Sequence, residues 1–155
     1  MKMKNLKSII LLFLFVATVG CGYTPLFKSQ NINFYINELN FEGDRQANNY
    51  IFQNLKKYKK FRENSKRYDL NILTKHENSI ANKDESGNPK NYNIQIDVKM
   101  MVITNEGNII NKNFKRSIPL SAQNKKLDEI DLKKKHKKNL SELISEDIIY
   151  FLRNQ

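Results

Sequence analysis

Between Tyr92 and Thr104 the chain alternates. Tyr92, Ile94, Ile96, Val98, Met100 and Val102 share one parity; Asn93, Gln95, Asp97 and Lys99 share the other. A period of two, rich in β-branched and aromatic residues, predicts a strand with one apolar and one wet face. Such a strand belongs in an antiparallel sheet covered on one side only. The rest of the chain must therefore supply neighbouring strands and a cover. Asn105-Glu106-Gly107-Asn108 reads as a hairpin loop. Ile110 to Leu120 returns as a polar-rich strand near an edge, stopped by Pro119.

Upstream, Asn31 to Phe41 alternates through Ile32, Phe34 and Ile36, with Tyr35, Leu39 and Phe41 adding apolar surface, and Gly43 ends the strand. Asp44 is placed to cap a helix. Ala47, Tyr50, Ile51, Leu55, Tyr58 and Phe61 then recur at three- and four-residue spacing, one face of an amphipathic helix. Lys56, Lys57, Lys59 and Lys60 crowd its last two turns, where the macrodipole favours cations. Tyr68, Leu70, Ile72 and Thr74 form a short second strand. His76 to Asn91 is polar, with a turn at Ser86-Gly87-Asn88-Pro89. After a linker from Ser121 to Lys126, a helix runs from Leu127 to about Arg153, its core stripe being Leu140, Ile144, Ile148 and Phe151. Lys133-Lys134-Lys135-His136-Lys137-Lys138 is polar all round and is expected to project into solvent or onto a partner. The order β-α-β-β-β-α predicts an α+β domain: two layers, a four-stranded mixed or antiparallel sheet with both helices packed on one face.

The amino terminus is of another kind. Lys2, Lys4 and Lys7 precede an apolar run from Ile9 to Val19, and small residues follow. This is the layout of a secretory signal. The run is shorter than the roughly 20 residues a membrane-spanning helix needs. Cys21, the only cysteine, comes directly after Gly20. The boundary resembles the lipobox of bacterial lipoproteins, with Thr18 where Leu is usual. The resemblance implies cleavage after residue 20 and lipid on Cys21. Residues 21–31, with Pro25 and Lys28-Ser29-Gln30, would be a tether, and 32–155 the folded domain. Gly22 in place of Asp lacks the usual inner-membrane retention signal. By resemblance to sorted lipoproteins, that implies the periplasmic face of the outer membrane.

Charge sets the remaining bounds. The formal net charge is +11, and loss of Lys2, Lys4 and Lys7 with the leader leaves +8. Such a surface suits an anionic partner, and an exported address argues against nucleic acid. The same lysine-rich composition also follows from codon bias in an AT-rich genome. His76 and His136 are far apart, and no metal spacing, nucleophile elbow or phosphate loop is present. His76-Glu77 reads as a solvated pair and Asp84-Glu85 as a hydrophilic hairpin tip. Neither an enzyme nor a cofactor is expected, beyond covalent lipid.

Cys21-Gly22-Tyr23-Thr24-Pro25-Leu26-Phe27 is similar to the start of the LptE (RlpB-type) lipopolysaccharide-assembly lipoproteins, which often begin Cys-Gly-aromatic-x-Pro-Leu-aromatic. The element order matches that family's fold. The resemblance implies an outer-membrane lipoprotein that plugs the LptD β-barrel, assists its folding and binds lipopolysaccharide during insertion into the outer leaflet. No local motif carries over the glycolipid contacts. Candidates by charge are Lys83 and Lys90 in the loop between the second and third strands, Lys99 on the wet face of the third, and Lys112, Lys115 and Arg116 on the fourth. A different periplasmic lipoprotein, an adapter binding cell wall or protein through the basic run, is the competing expectation. An exported protein without lipid is a third.

Overall fold

The computed structural model describes residues 32–61 and 63–155. The signal, Cys21 and the tether lie outside the described residues. The elements are β1 (Phe34–Gly43), α1 (Arg45–Leu55), β2 (Lys66–Lys83), β3 (Pro89–Thr104), β4 (Ile109–Ser121) and α2 (Lys126–Arg153), the expected order. The sheet is mixed, ordered β1-β2-β3-β4: β1 lies parallel to β2, and β2, β3 and β4 are antiparallel. A helical crossover is what allows the parallel pair. Both helices cover one face, and residues 32–155 form one compact unit.

The core is the one that the parity of β3 requires. Ile94, Ile96, Val98, Met100 and Val102 are buried, and on β2 the row partners of the last three, Thr74, Ile72 and Leu70, are buried with them. α1 contributes Ala47, Ile51 and Leu55, and α2 contributes Leu140, Ile144, Ile148 and Leu152. Each large aliphatic side chain so buried contributes about 1.5–3 kcal/mol. Ser141 and Ser145 are also fully buried on α2. Their hydroxyls donate to the carbonyls of Lys137 and Glu142, which satisfies them within the helix.

β1 changes phase midway. Phe34 and Ile36 face the core; after a bulge at Asn37 the half-buried residues are Leu39 and Phe41. Asp69 of β2 holds the bulge. Its Oδ1 accepts from Asn37 Nδ2 at 2.7 Å and from the Glu38 N–H at 3.1 Å. At the strand end Gly43 has φ +91 and sits against the Thr74 carbonyl. That carbonyl accepts the Asp44 N–H at 3.1 Å. Asp44 caps α1 as expected, taking the Ala47 N–H at 2.8 Å.

Several boundaries differ from expectation. α1 ends at Leu55, and a 3-10 turn follows over Lys56–Tyr58. Only Lys56 and Lys57 lie in that turn, and Lys59 and Lys60 lie beyond it. Tyr58 remains in the core, stacked on Phe34 at 5.3 Å, whereas Phe61 is 69% exposed and meets Tyr35 edge-on at 5.2 Å. β2 runs 18 residues, through the polar stretch expected to be a loop. Its distal half pairs with β3 up to Lys83 opposite Pro89. The backbone ladder sustains a strand there without apolar side chains. Pro119 does not stop β4: it sits within the strand opposite Asn93, tolerated because β4 is an edge.

Candidate functional site

The helix-free side of the sheet is uncovered by any described element. Strand register assigns its residues: Asn40, Asn71, Met101 and Asn111 form one row, and Glu42, Leu73, Lys99 and Asn113 the next. Together they line a shallow hollow of about 380 Å³. Asn40 Nδ2 donates to Asn71 Oδ1 at 3.0 Å, so part of the rim is fixed. Leu73 and Met101 stand exposed in its floor. Lys99 beside them has no ion pair among the described residues. The neighbouring row is neutralised, Lys75 by Glu77 and Lys115 by Asp97 at 3.9 Å. The surface is thus amide-rich, with two apolar side chains between one ammonium, Lys99, and one carboxylate, Glu42, neither of them in an ion pair among the described residues. It can hold a group that is part apolar and part anionic.

Of the six basic candidates, Lys99 and Lys115 share this face. Lys112 and Arg116 do not: register puts them on the helix side. Arg116 makes a bidentate pair with Asp147 of α2, at 2.7 and 2.9 Å, and Lys112 Nζ lies 5.7 Å from the Phe151 ring centre. The Asp147 carboxylate raises the Arg116 pKa further above its ordinary value. Lys83 and Lys90 are strand residues at the distal hairpin rather than loop residues, and both are exposed. The six therefore do not form one site.

The basic run of α2 corrects a second expectation, since two of its lysines turn inward. Lys133 Nζ lies 3.4 Å from the Tyr92 ring centre and 2.8 Å from Glu129 Oε1; Lys126 reaches the same oxygen at 3.0 Å. These two ammonium groups, Lys133 first, pull the nearly buried Glu129 carboxyl down to about 2. Lys137 is 9% exposed, and its ammonium meets Asp44 Oδ2 at 3.1 Å and Gln46 Oε1 at 3.2 Å. A lysine can run its stem along apolar surface and still be satisfied at the tip. Lys133 and Lys137 are four residues apart, so both fall on one helical face.

His76 and Glu77 are not a solvated pair. His76 faces the helices, its Nδ1 3.9 Å from Asp44, and its Nε2 is buried without a partner; Glu77 pairs with Lys75. Burial lowers the His76 pKa, Lys137 lowers it further, and Asp44 opposes them. Burial alone would raise Asp44, but the Ala47 N–H and Lys137 outweigh it and hold the carboxyl below its ordinary value. Asp84 does cap the hairpin tip, accepting the N–H groups of Ser86 and Asn88. Sequence reasoning missed the Asp44–Lys137–His76 junction and the open-face pair Leu73 and Met101. The latter left a trace, two apolar residues at wet-parity positions.

Among the described residues no group of acidic, cysteine or histidine side chains is placed to hold a metal ion, and no helix is long and apolar enough to cross a membrane.

No family model and no curated protein matches the sequence. Solved structures do. The rare lipoprotein B of Shewanella oneidensis is similar with a TM-score of 0.58 at 11% identity, over 75% of this chain and 93% of that one. The chain has the rare lipoprotein B fold. The lipoprotein B of Nitrosomonas europaea aligns with a TM-score of 0.54 at 12% identity, covering 82% of this chain and 90% of its own. A minor lipoprotein of Acinetobacter baumannii gives 0.53 at 10%, with 79% and 94% covered. The lipoprotein B fold thus accounts for most of this chain and nearly all of each relative.

Proposed function

We propose that the chain is an outer-membrane lipoprotein, acylated on Cys21, that plugs and helps assemble an LptD-type β-barrel and aids lipopolysaccharide insertion into the outer leaflet. One observation carries this: a lipoprotein B fold on a chain whose only cysteine directly follows a stretch with the layout expected of an export signal. More than one acyl chain on that cysteine gives stable attachment where a single chain would bind only marginally. The lumen of a large barrel is polar, and a plug needs a wet exterior over its own core. The amide-rich open face supplies such an exterior. Lys99, with Leu73 and Met101, is the contact proposed for a phosphorylated, acylated glycolipid. The role is positioning and binding, not catalysis.

The adapter alternative drew on the basic run. Lys133 and Lys137 are engaged internally, which leaves that alternative much less to bind with.

Affinity capture of the native protein from solubilised outer membranes tests the proposal. A large β-barrel at near one-to-one ratio is expected. Recovery of inner-membrane components alone overturns it.

A further inference from the structure

The two halves of α2 are held in different ways. In its second half Leu140, Ile144, Ile148 and Leu152 are buried in the core. In its first half Leu127 and Ile130 are 75% and 51% exposed, and Leu132 alone of the apolar residues packs against the core. The helix start has no side-chain cap at Lys125. Residues 126–137 are fastened chiefly by two ammonium groups, Lys133 over Tyr92 and Lys137 at Asp44 and Gln46.

The second fastening shares its carboxylate. Asp44 Oδ1 accepts the Ala47 N–H at 2.8 Å, with Lys137 Nζ at 3.4 Å. Asp44 Oδ2 has Lys137 Nζ at 3.1 Å and His76 Nδ1 at 3.9 Å. At 3.9 Å a neutral imidazole makes no hydrogen bond there, and Lys137 holds the oxygen. An imidazolium donates from both nitrogens. Its Nδ1–H competes with Lys137 for Oδ2. Its Nε2–H is buried, where Nε2 has no partner among the described residues. Two cations then share one carboxylate in a half-buried space, which is costly without further partners. His76 is fixed in the ladder opposite Ile96, whereas Lys137 sits on the weakly packed half of α2.

No neighbouring charge relieves this. Arg116 lies in the same row on β4 and is bound to Asp147. α1 faces the junction with Gln46 and with Asn48, whose Oδ1 accepts the Thr74 hydroxyl. Lys75 and Glu77 flank His76 on the other face of the sheet and pair with each other. On α2, Glu129 is taken by Lys126 and Lys133, Lys134 is exposed one turn before Lys137, and His136 is half-buried beside it.

We infer that His76 is a proton-operated release for the first half of α2: its imidazolium takes Asp44 from Lys137, and residues 126–137 lift from the sheet while 140–152 stay. Opening uncovers Tyr92 and Leu132 close to Ile80, which pairs with Tyr92 and is already 48% exposed. Acid thus turns a polar end of the domain into an apolar one. Burial and Lys137 hold the His76 pKa below its ordinary value in the clasped form, and opening returns the imidazole to water, so protonation favours the open form. Asp44 and Glu129, both held below their ordinary values, stay charged at pH 5. The release does not depend on the assembly role proposed above.

Amide hydrogen exchange on the full chain in detergent micelles, at pH 7.5 and 5 and corrected for intrinsic rates, tests it. Protection of residues 130–137 should fall about fivefold or more at pH 5. Exchange there should respond weakly to added urea, as a local opening does, and exchange at 144–152 steeply. His76→Asn should abolish the fall, and His136→Asn should keep it. In Lys137→Met the His76 ring should titrate at a higher pH, because the repelling cation is gone. A fall retained in His76→Asn or lost in His136→Asn overturns the inference. So does equal urea dependence along α2, an unmoved His76 titration in Lys137→Met, or unchanged protection while His76 titrates.

Discussion

Lys137 and Asp44 are 93 residues apart in the chain, and Lys137 Nζ lies 3.1 Å from Asp44 Oδ2. The same carboxylate caps α1 and lies 3.9 Å from His76 of β2. One side chain therefore ties both helices to the strand at the point where β1 stops.

Lys137→Met should destabilise the fold by about 2 kcal/mol, between the values of exposed and fully buried pairs, because both partners are only partly desolvated. Asp44→Asn keeps a good cap and loses only the charge, whereas Asp44→Ala should cost about 1 kcal/mol more. Urea denaturation of the three single variants and of Lys137→Met/Asp44→Asn checks this. Additive effects would mean the two groups do not interact.

The six basic residues of the run from Lys133 to Lys138 should behave unequally. Lys133→Ala removes the contact over Tyr92 and one partner of Glu129, at a cost of about 1–2 kcal/mol. Lys134→Ala and Lys135→Ala, both exposed, should change stability by about 0.5 kcal/mol or less. Thermal denaturation monitored by circular dichroism distinguishes them, and equal shifts for all three would refute the inward placement of Lys133.

Acid should weaken the fold in two stages. The folded pKa of His76 lies below its ordinary 6.5, so its contribution is complete above 6.5 and is lost as pH falls through the depressed value. Glu129, ordinarily 4.5, is held at about 2. Its contribution is complete above 4.5 and disappears between 4.5 and about 2; Asp44, also depressed, adds in the same direction. Denaturant midpoints across pH 7.5 to 2.5 should fall on both limbs. His76→Asn should flatten the upper limb and Glu129→Gln the lower. A midpoint that rises between pH 6.5 and 5 would reverse the sign assigned to His76.

Two glycines with positive φ should differ sharply. A Cβ on Gly43 would lie 1.9 Å from the Thr74 carbonyl oxygen, whereas one on Gly87 would meet nothing within 4 Å. Gly87→Ala should cost about 1 kcal/mol for the left-handed backbone alone. Gly43→Ala should cost about 3 kcal/mol or more, since the β1–α1 junction must move. Equal chemical denaturation curves for the two variants would contradict the contact at Gly43.

Lys99→Glu should leave stability within about 0.5 kcal/mol, the side chain being exposed and without an ion pair. It should weaken binding of purified lipopolysaccharide, while Arg116→Gln, which breaks the pair with Asp147, should alter stability rather than binding. Surface plasmon resonance with both variants checks the split. Loss of binding in Arg116→Gln alone would move the contact to the helix side.

Much of the fold was legible because period and parity are local properties. The strict alternation of β3 fixed its two faces, Asp44 marked the start of α1, and the apolar spacing from Leu140 to Leu152 marked the buried half of α2. The polar residues of distal β2 gave no periodicity to read, and only the partner strand made them a strand. Phe61 continued a helical spacing, but the helix had already ended in a 3-10 turn.

By itself, then, the sequence determined the element order and the covered face of the sheet. The tertiary structure alone decided which charges are available. Lys112, Arg116, Lys133 and Lys137 are spent on Phe151, Asp147, Glu129 and Asp44, while Lys99 is left on the open face. The physical reason is range. Periodicity lies within a few residues of one segment, whereas an ion pair depends on where two distant segments come to rest, and a run of lysines looks the same in sequence whether its tips meet water or carboxylates.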